Sequence, residues 1–222
     1  MAENPTVKLG VLISGNGSNL QAIIDAILRG DLKAEIRLVL SNRADAPGLE
    51  RARRHGIESS VIDHRKFPTR EDFDRAVLAA LRARAVELVA LAGFMRLLSD
   101  VMLEAFPGRI MNIHNSLLPS FPGIHGPKDA LEYGVKIAGC TVFFVTPGVD
   151  VGPVIVQAAV PVLPGDDEQR LAARILQQEH RIFPHAIALF QQGRLAIEGR
   201  RVVIKGDSAA PNSSPIVNPP VD

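Results

Sequence analysis

The run Leu88-Val89-Ala90-Leu91-Ala92 carries no polar side chain, so a strand made from it needs apolar cover on both faces. That requirement places it in the middle of a parallel sheet flanked by helices. The residues before it follow the same logic. Val7 to Ile13 is an apolar strand candidate, after which Leu20, Ile23, Ile24 and Ile27 fall on one helical stripe that ends at Gly30. Ser18 or Asn19 stands where a cap for that helix is needed. Ile36 to Leu40 is a second strand, followed by a short helix from Pro47 to Gly56, and Ser59 to Ile62 is a third. Thr69 and Asp72 have the spacing of a capping box, opening a helix with Phe73, Val77, Ala80 and Leu81 inward. Strands alternating with amphipathic helices imply an α/β fold with a Rossmann-like, doubly wound, mostly parallel sheet.

The second half reads differently. Arg109 to Ile113 is a fifth strand, and a proline-rich loop follows from Pro119 to Pro127. Ile137 to Val145 and Val154 to Val162 form an antiparallel pair across Thr146 to Gly152, an antiparallel addition to the sheet. A long helix is expected from Asp166 to Gln192, bent near Pro184, then a hairpin from Leu195 to Ile204 around Gly199. The stretch from Asp207 to Asp222 has four prolines and no apolar period, which reads as a disordered tail behind a single domain over residues 1–206.

Two segments carry chemistry. Ile13-Ser14-Gly15-Asn16-Gly17-Ser18-Asn19 runs from a strand through a Gly-x-Gly turn into a helix start, which points free backbone N–H groups at an anion. Leu20 occupies the third glycine position of the dinucleotide fingerprint, and no Lys-Ser/Thr follows as in a Walker loop. A mononucleotide-like or sugar-phosphate ligand therefore fits better than NAD, although Gly15 and Gly17 also serve a plain tight turn. In Met111-Asn112-Ile113-His114, Asn112 and His114 share a strand parity and project to one side at a strand's C-terminal end. An amide there can donate to a developing oxyanion, and an imidazole, with an unperturbed pKa of about 6.5, can move protons at neutral pH. Asp150 is the best candidate to orient that imidazole and favour its charged form. No Gly-x-Ser-x-Gly elbow exists, and His114, His125, His180 and His185 lack metal-ligand spacing, so no metal is expected.

A net charge of +1 without a basic run gives no footprint for nucleic acid or an anionic membrane. The lone Cys140, the polar opening Met1 to Pro5 and the shortness of every apolar run fit a cytoplasmic protein of small-molecule partners.

Along residues 7–200 the chain resembles the phosphoribosylglycinamide formyltransferase family, the folate-dependent enzymes of purine biosynthesis. Ile13 to Ile23 resembles the family's phosphate loop, Leu91-Ala92-Gly93-Phe94-Met95-Arg96 its folate-contacting strand end, and Asn112 to Pro119 its catalytic segment. Asp150-Val151-Gly152-Pro153-Val154-Ile155 resembles its aspartate loop. The resemblance implies formyl transfer from the co-substrate 10-formyltetrahydrofolate to the amine of glycinamide ribonucleotide, by a monomer or homodimer. It implies Asn112 as oxyanion donor, His114 tuned by Asp150 as proton carrier, Gly17, Ser18 and Asn19 on the substrate phosphate, and Glu179 on the ribose or amine. For the folate it implies Arg70 on the tail carboxylate. Met95, Arg96, Leu97, Leu98 and Asn112 would line the pterin pocket, closed by Thr146, Pro147, Gly148, Val149 and Asp150. The family's cis peptide is expected at Leu118-Pro119.

Three departures stand out: Asn115 and Pro127 in place of a family proline and histidine, and Phe143 in place of a second histidine. Methionyl-tRNA formyltransferase and formyltetrahydrofolate hydrolase share the Asn, His and Asp set. The first is expected to need a further barrel beyond Ile204, and the second a regulatory domain before Val7. A non-catalytic sugar-phosphate binder and a dinucleotide-dependent oxidoreductase are the remaining alternatives.

Overall fold

The computed structural model describes residues 5–206 together with Ile216 and Asn218. Its nine strands are β1 (Val7–Ile13), β2 (Ala34–Ser41), β3 (Ser59–Val61), β4 (Leu88–Leu91), β5 (Ile110–His114), β6 (Ile137–Phe144), β7 (Val154–Pro161), β8 (Leu195–Glu198) and β9 (Arg201–Ile204). They form one sheet in the order β3-β2-β1-β4-β5-β6-β7-β9-β8. The first five are parallel, β6 runs antiparallel to both β5 and β7, and β8 and β9 close as a hairpin. The mixed sheet of the sequence reading is therefore present, with its antiparallel part where it was placed.

Six α-helices cover it: α1 (Ser18–Leu28), α2 (Gly48–Arg54), α3 (Arg70–Ala83), α4 (Asp100–Ala105), α5 (Gly126–Tyr133) and α6 (Glu168–Gln191). Strand alternation divides the core into two faces. Val11, Ile13, Val39 and Ala90 meet Leu20 and Ile23 of α1 and Ile175 and Phe183 of α6. Leu12, Leu38, Leu40 and Val89 meet Phe73, Val77 and Leu81 of α3 and Met102 of α4. Pro184 lies within α6 rather than ending it.

Three local expectations need correction. Neither Ser18 nor Asn19 caps α1: Gly17 takes the cap position in the left-handed region (φ 70°) and no side chain caps the helix. The Pro119 to Pro127 stretch is not loop to its end, because α5 starts at Gly126 with Pro127 in its first turn, where a missing N–H costs nothing. The six-residue α4 and a 3-10 turn at His64–Lys66 were not read from the sequence. The capping pair at α3 is present, with Asp72 N–H donating to Thr69 Oγ1 (3.1 Å). The Leu118-Pro119 peptide is cis. The expected tail from Asp207 onward lies outside the described residues apart from Ile216 and Asn218. Asn218 Nδ2 donates to the carbonyls of Lys136 (2.7 Å) and Val162 (3.0 Å).

Candidate active site

Strand order reverses between β1 and β4, and open α/β sheets hold ligands at the carboxyl ends of the strands flanking such a reversal. A cleft of about 530 Å³ opens there. It is lined by the segment Ser14 to Asn19 after β1, by Ala92, Gly93, Met95 and Arg96 after β4, and by Asn42, Arg43 and His64. Ser14 ties the walls together. Its N–H donates to Gly93 O (3.0 Å), its Oγ to Asn42 Oδ1 (2.6 Å), and Met95 N–H donates back to its Oγ (2.8 Å).

The turn into α1 is braced from outside. Gly48 N–H donates to Gly15 O (3.0 Å), and Arg51 donates to the carbonyl and side-chain oxygens of Asn16 at 2.8 and 2.9 Å. A Cβ on Gly17 would meet Gly48 Cα at 2.8 Å, so this position needs glycine for space as well as for its positive φ. With no side-chain cap, the first-turn N–H groups of α1 face the cleft under the positive end of the helix dipole. The Arg96 Nε is buried without a hydrogen-bond partner among the described residues, a cationic donor beside the same cleft. Seat, volume and charge fit a ribosyl phosphate.

Asn19 is turned inward. Its Nδ2 donates to Glu179 Oε2 on α6 (2.7 Å), while its Oδ1 is buried with no partner among the described residues. Burial holds the Glu179 carboxyl above its ordinary range, against the opposing pull of Asn19 and of a charged His114. Glu179 thus links the turn into α1 with the imidazole.

At the end of β5, His114 is 6% exposed and Asn112 half-buried, alternating with the core residues Met111 and Ile113. His114 Nδ1 lies 3.7 Å from Asp150 Oδ2, an ion-pair distance rather than a hydrogen bond. The hydrogen bond is on the other nitrogen: Nε2 meets the carbonyl of Phe121 at 2.9 Å. A carbonyl only accepts, so this contact is a hydrogen bond with the proton on Nε2. The sequence reading named Asp150 as the group that orients the ring; at 3.7 Å it stands at ion-pair distance, and the hydrogen-bonding distance is to a backbone carbonyl. Asp150 has a left-handed backbone (φ 54°), and its Oδ2 accepts from Gly123 N–H (2.9 Å). Gly152 holds the turn close to β6, since a Cβ there would fall 1.7 Å from Phe144 O.

The structure brings Gly17, Ser18, Asn19, Met95 and Arg96 to one cleft, links Asn19 to Glu179, and sets His114 beside Asp150. It does not bring every implied folate residue to that cleft. Arg70 is exposed in the first turn of α3, 3.6 Å from Glu71. Leu97 is exposed and Leu98 packs toward the α3 side of the core. Thr146 is half-buried, and Pro147, Gly148 and Val149 are exposed in the β6–β7 turn. Phe143, paired in register with Asn112, is buried as core.

Sequence reasoning missed the residues that hold the 116–121 loop. Thr141 Oγ1 donates to Ser116 O (2.7 Å) and accepts from Leu118 N–H (3.1 Å), and Gln157 Nε2 donates to Leu118 O (3.0 Å). Polar residues within otherwise apolar strands were the available signal. Among the described residues no group of three or more His, Cys, Asp or Glu could hold a metal ion, and no helix is long and apolar enough to cross a membrane.

The formyl transferase family model matches residues 7–187. The chain is 47% identical over 201 residues to phosphoribosylglycinamide formyltransferase of Escherichia coli K12, covering 90% of this chain and 95% of that one. It is 53% identical over 197 residues to the trifunctional purine biosynthetic protein adenosine-3 of Drosophila pseudoobscura, with 88% of this chain matched. It spans only 14% of that much longer relative. Among solved structures, glycinamide ribonucleotide transformylase 1 of Symbiobacterium toebii superimposes with a TM-score of 0.89 at 57% identity, over 90% of this chain and 94% of the other.

Proposed function

The chain belongs to the formyl transferase family, among the phosphoribosylglycinamide formyltransferases, and from that premise we propose that it transfers the formyl group of 10-formyltetrahydrofolate to the amine of 5-phosphoribosylglycinamide in purine biosynthesis. The observation that carries this reading lies at the carboxyl ends of the parallel strands: an uncapped helix start follows β1, a cleft opens between β1 and β4, and the imidazole ending β5 stands beside a carboxylate.

The residues divide the work. Backbone N–H groups of Gly17, Ser18 and Asn19 hold the phosphate, and Glu179 meets the ribose or amine. The wall from Met95 to Leu98 takes the pterin, with the 146–150 turn closing over it and Arg70 meeting the tail carboxylate. As the amine forms its bond to the formyl carbon and the bond to N10 breaks, Asn112 donates to the oxygen that gathers charge. His114 takes a proton from the attacking amine and returns one to the departing nitrogen, so the imidazole ends as it began. Asp150 stabilises the imidazolium in between. The setting is a cytoplasmic enzyme of two small-molecule substrates that needs no metal.

The test is incubation with 10-formyltetrahydrofolate and the ribonucleotide, following release of tetrahydrofolate. Release only when the ribonucleotide is present supports transfer. Equal release without it means hydrolysis, and none in either case removes the assignment.

A further inference from the structure

Phe121 has φ 52°, a region that aromatic side chains rarely enter, and it has no ligand role in the scheme above. Such a backbone persists only where its surroundings impose it. Here Ser116 Oγ donates to Ser120 O, Ser120 N–H to Leu117 O, and Thr141 and Gln157 pin the residues between. The ring then packs edge-on against Tyr133 of α5, with centroids 5.8 Å apart and planes at 66°. The result aims two backbone groups at the two reacting side chains. Phe121 O accepts from His114 Nε2, and two residues later Gly123 N–H donates to Asp150 Oδ2.

We propose that Phe121 is a positioning residue for His114: its left-handed backbone, wedged by its ring against α5, keeps the imidazole proton on Nε2 and leaves Nδ1, beside Asp150, as the nitrogen that exchanges protons. The proposal deepens the transferase reading and rests on it only for its kinetic arm. With Nε2 committed to a carbonyl, protonation happens at Nδ1, where the 3.7 Å to Asp150 Oδ2 leaves no direct bond in its way. The charged groups facing His114 are Asp150 from the β6–β7 turn and Glu179 from α6, and neither accepts from Nε2. A cavity of about 350 Å³ borders the ring, lined also by Leu117, Ala130, Tyr133 and Ile137. Shortening the side chain therefore extends existing space rather than emptying a packed core.

The test reads the histidine nitrogens of the full chain by 15N NMR without substrates, in wild type, Phe121→Gly and Phe121→Tyr, beside kcat and KM against pH. The wild type should show the Nε2–H tautomer. Phe121→Gly should mix the tautomers, lower kcat about tenfold with both KM values within about twofold, and move the acidic limb of kcat by about half a pH unit. Phe121→Tyr should restore all three. Should Phe121→Gly fail to fold, the exposed Tyr133→Ala should shift the tautomer in the same direction. A wild-type Nδ1–H tautomer overturns the proposal, as does an unmoved signal and pH limb in the readable variant. An Nε2–H signal in a protein without transfer activity supports the tautomer assignment and counts against the transferase reading.

Discussion

The two ends of the site are built in opposite ways. At the turn into α1, the proposed recognition is by main-chain groups: a glycine in the left-handed region and an uncapped helix start, braced from behind by Gly48 and the Arg51 side chain. At the end of β5, the chemistry rests on side chains whose orientation is set by two non-glycine residues with positive φ, Phe121 and Asp150. One end needs glycine for its positive φ and for the close approach of Gly48, and the other holds strained loops so that side chains meet. The starts of α3 and α6 differ from that of α1, whereas α2, α4 and α5 share the absence of a side-chain cap. Thr69 and Asp167 cap α3 and α6 with their own side chains, spending the N–H groups that α1 leaves free.

The comparison yields separable failures. His114→Ala should lower kcat by about 10²–10⁴-fold while the folded chain keeps its affinity for the ribonucleotide, as stopped-flow transfer and calorimetry would show. Asn112→Ala should cost about 10²–10³-fold in kcat, with a smaller change in KM for either substrate. Gly17→Ala attacks the other end. The clash with Gly48 and the left-handed backbone should raise KM for the ribonucleotide about tenfold and leave the pH profile of kcat in place. A shifted profile in that variant would mean that the two ends are not independent.

The smallest effect concerns Glu179, where the two ends meet. Burial raises its carboxyl above the ordinary 4.5, so the folded state binds that proton more tightly than the unfolded chain. Stability should therefore fall as pH rises from about 4.5 through the folded value, and buried Asp74, also raised, adds the same sign. Glu179→Gln, which keeps an acceptor for Asn19, should flatten that slope in urea titrations across pH. An unchanged slope would assign the whole effect to other groups such as Asp74.

The parallel half of the fold was legible because β4 and the C-terminal halves of β1 and β2 are apolar on both faces and α1 and α3 keep clear helical stripes. The antiparallel pair showed itself as two apolar runs around a glycine-rich turn. What escaped was tertiary in origin. The six residues of α4 are too few for a period to show, and α5 begins inside a run of prolines. Asn19 stood where a cap belongs, but its amide goes to Glu179, 160 residues away. His114 and Asp150 could be nominated by type and order, whereas the Phe121 carbonyl could not, since every residue has one. Thr141 and Gln157 read as strand positions until the loop they pin is seen.

Division of labour between backbone recognition and side-chain chemistry is most directly tested by calorimetric titration of the ribonucleotide into folded His114→Ala and Gly17→Ala. The account predicts wild-type affinity within about twofold for the first and about tenfold weaker binding for the second. Equal losses in both variants would contradict it.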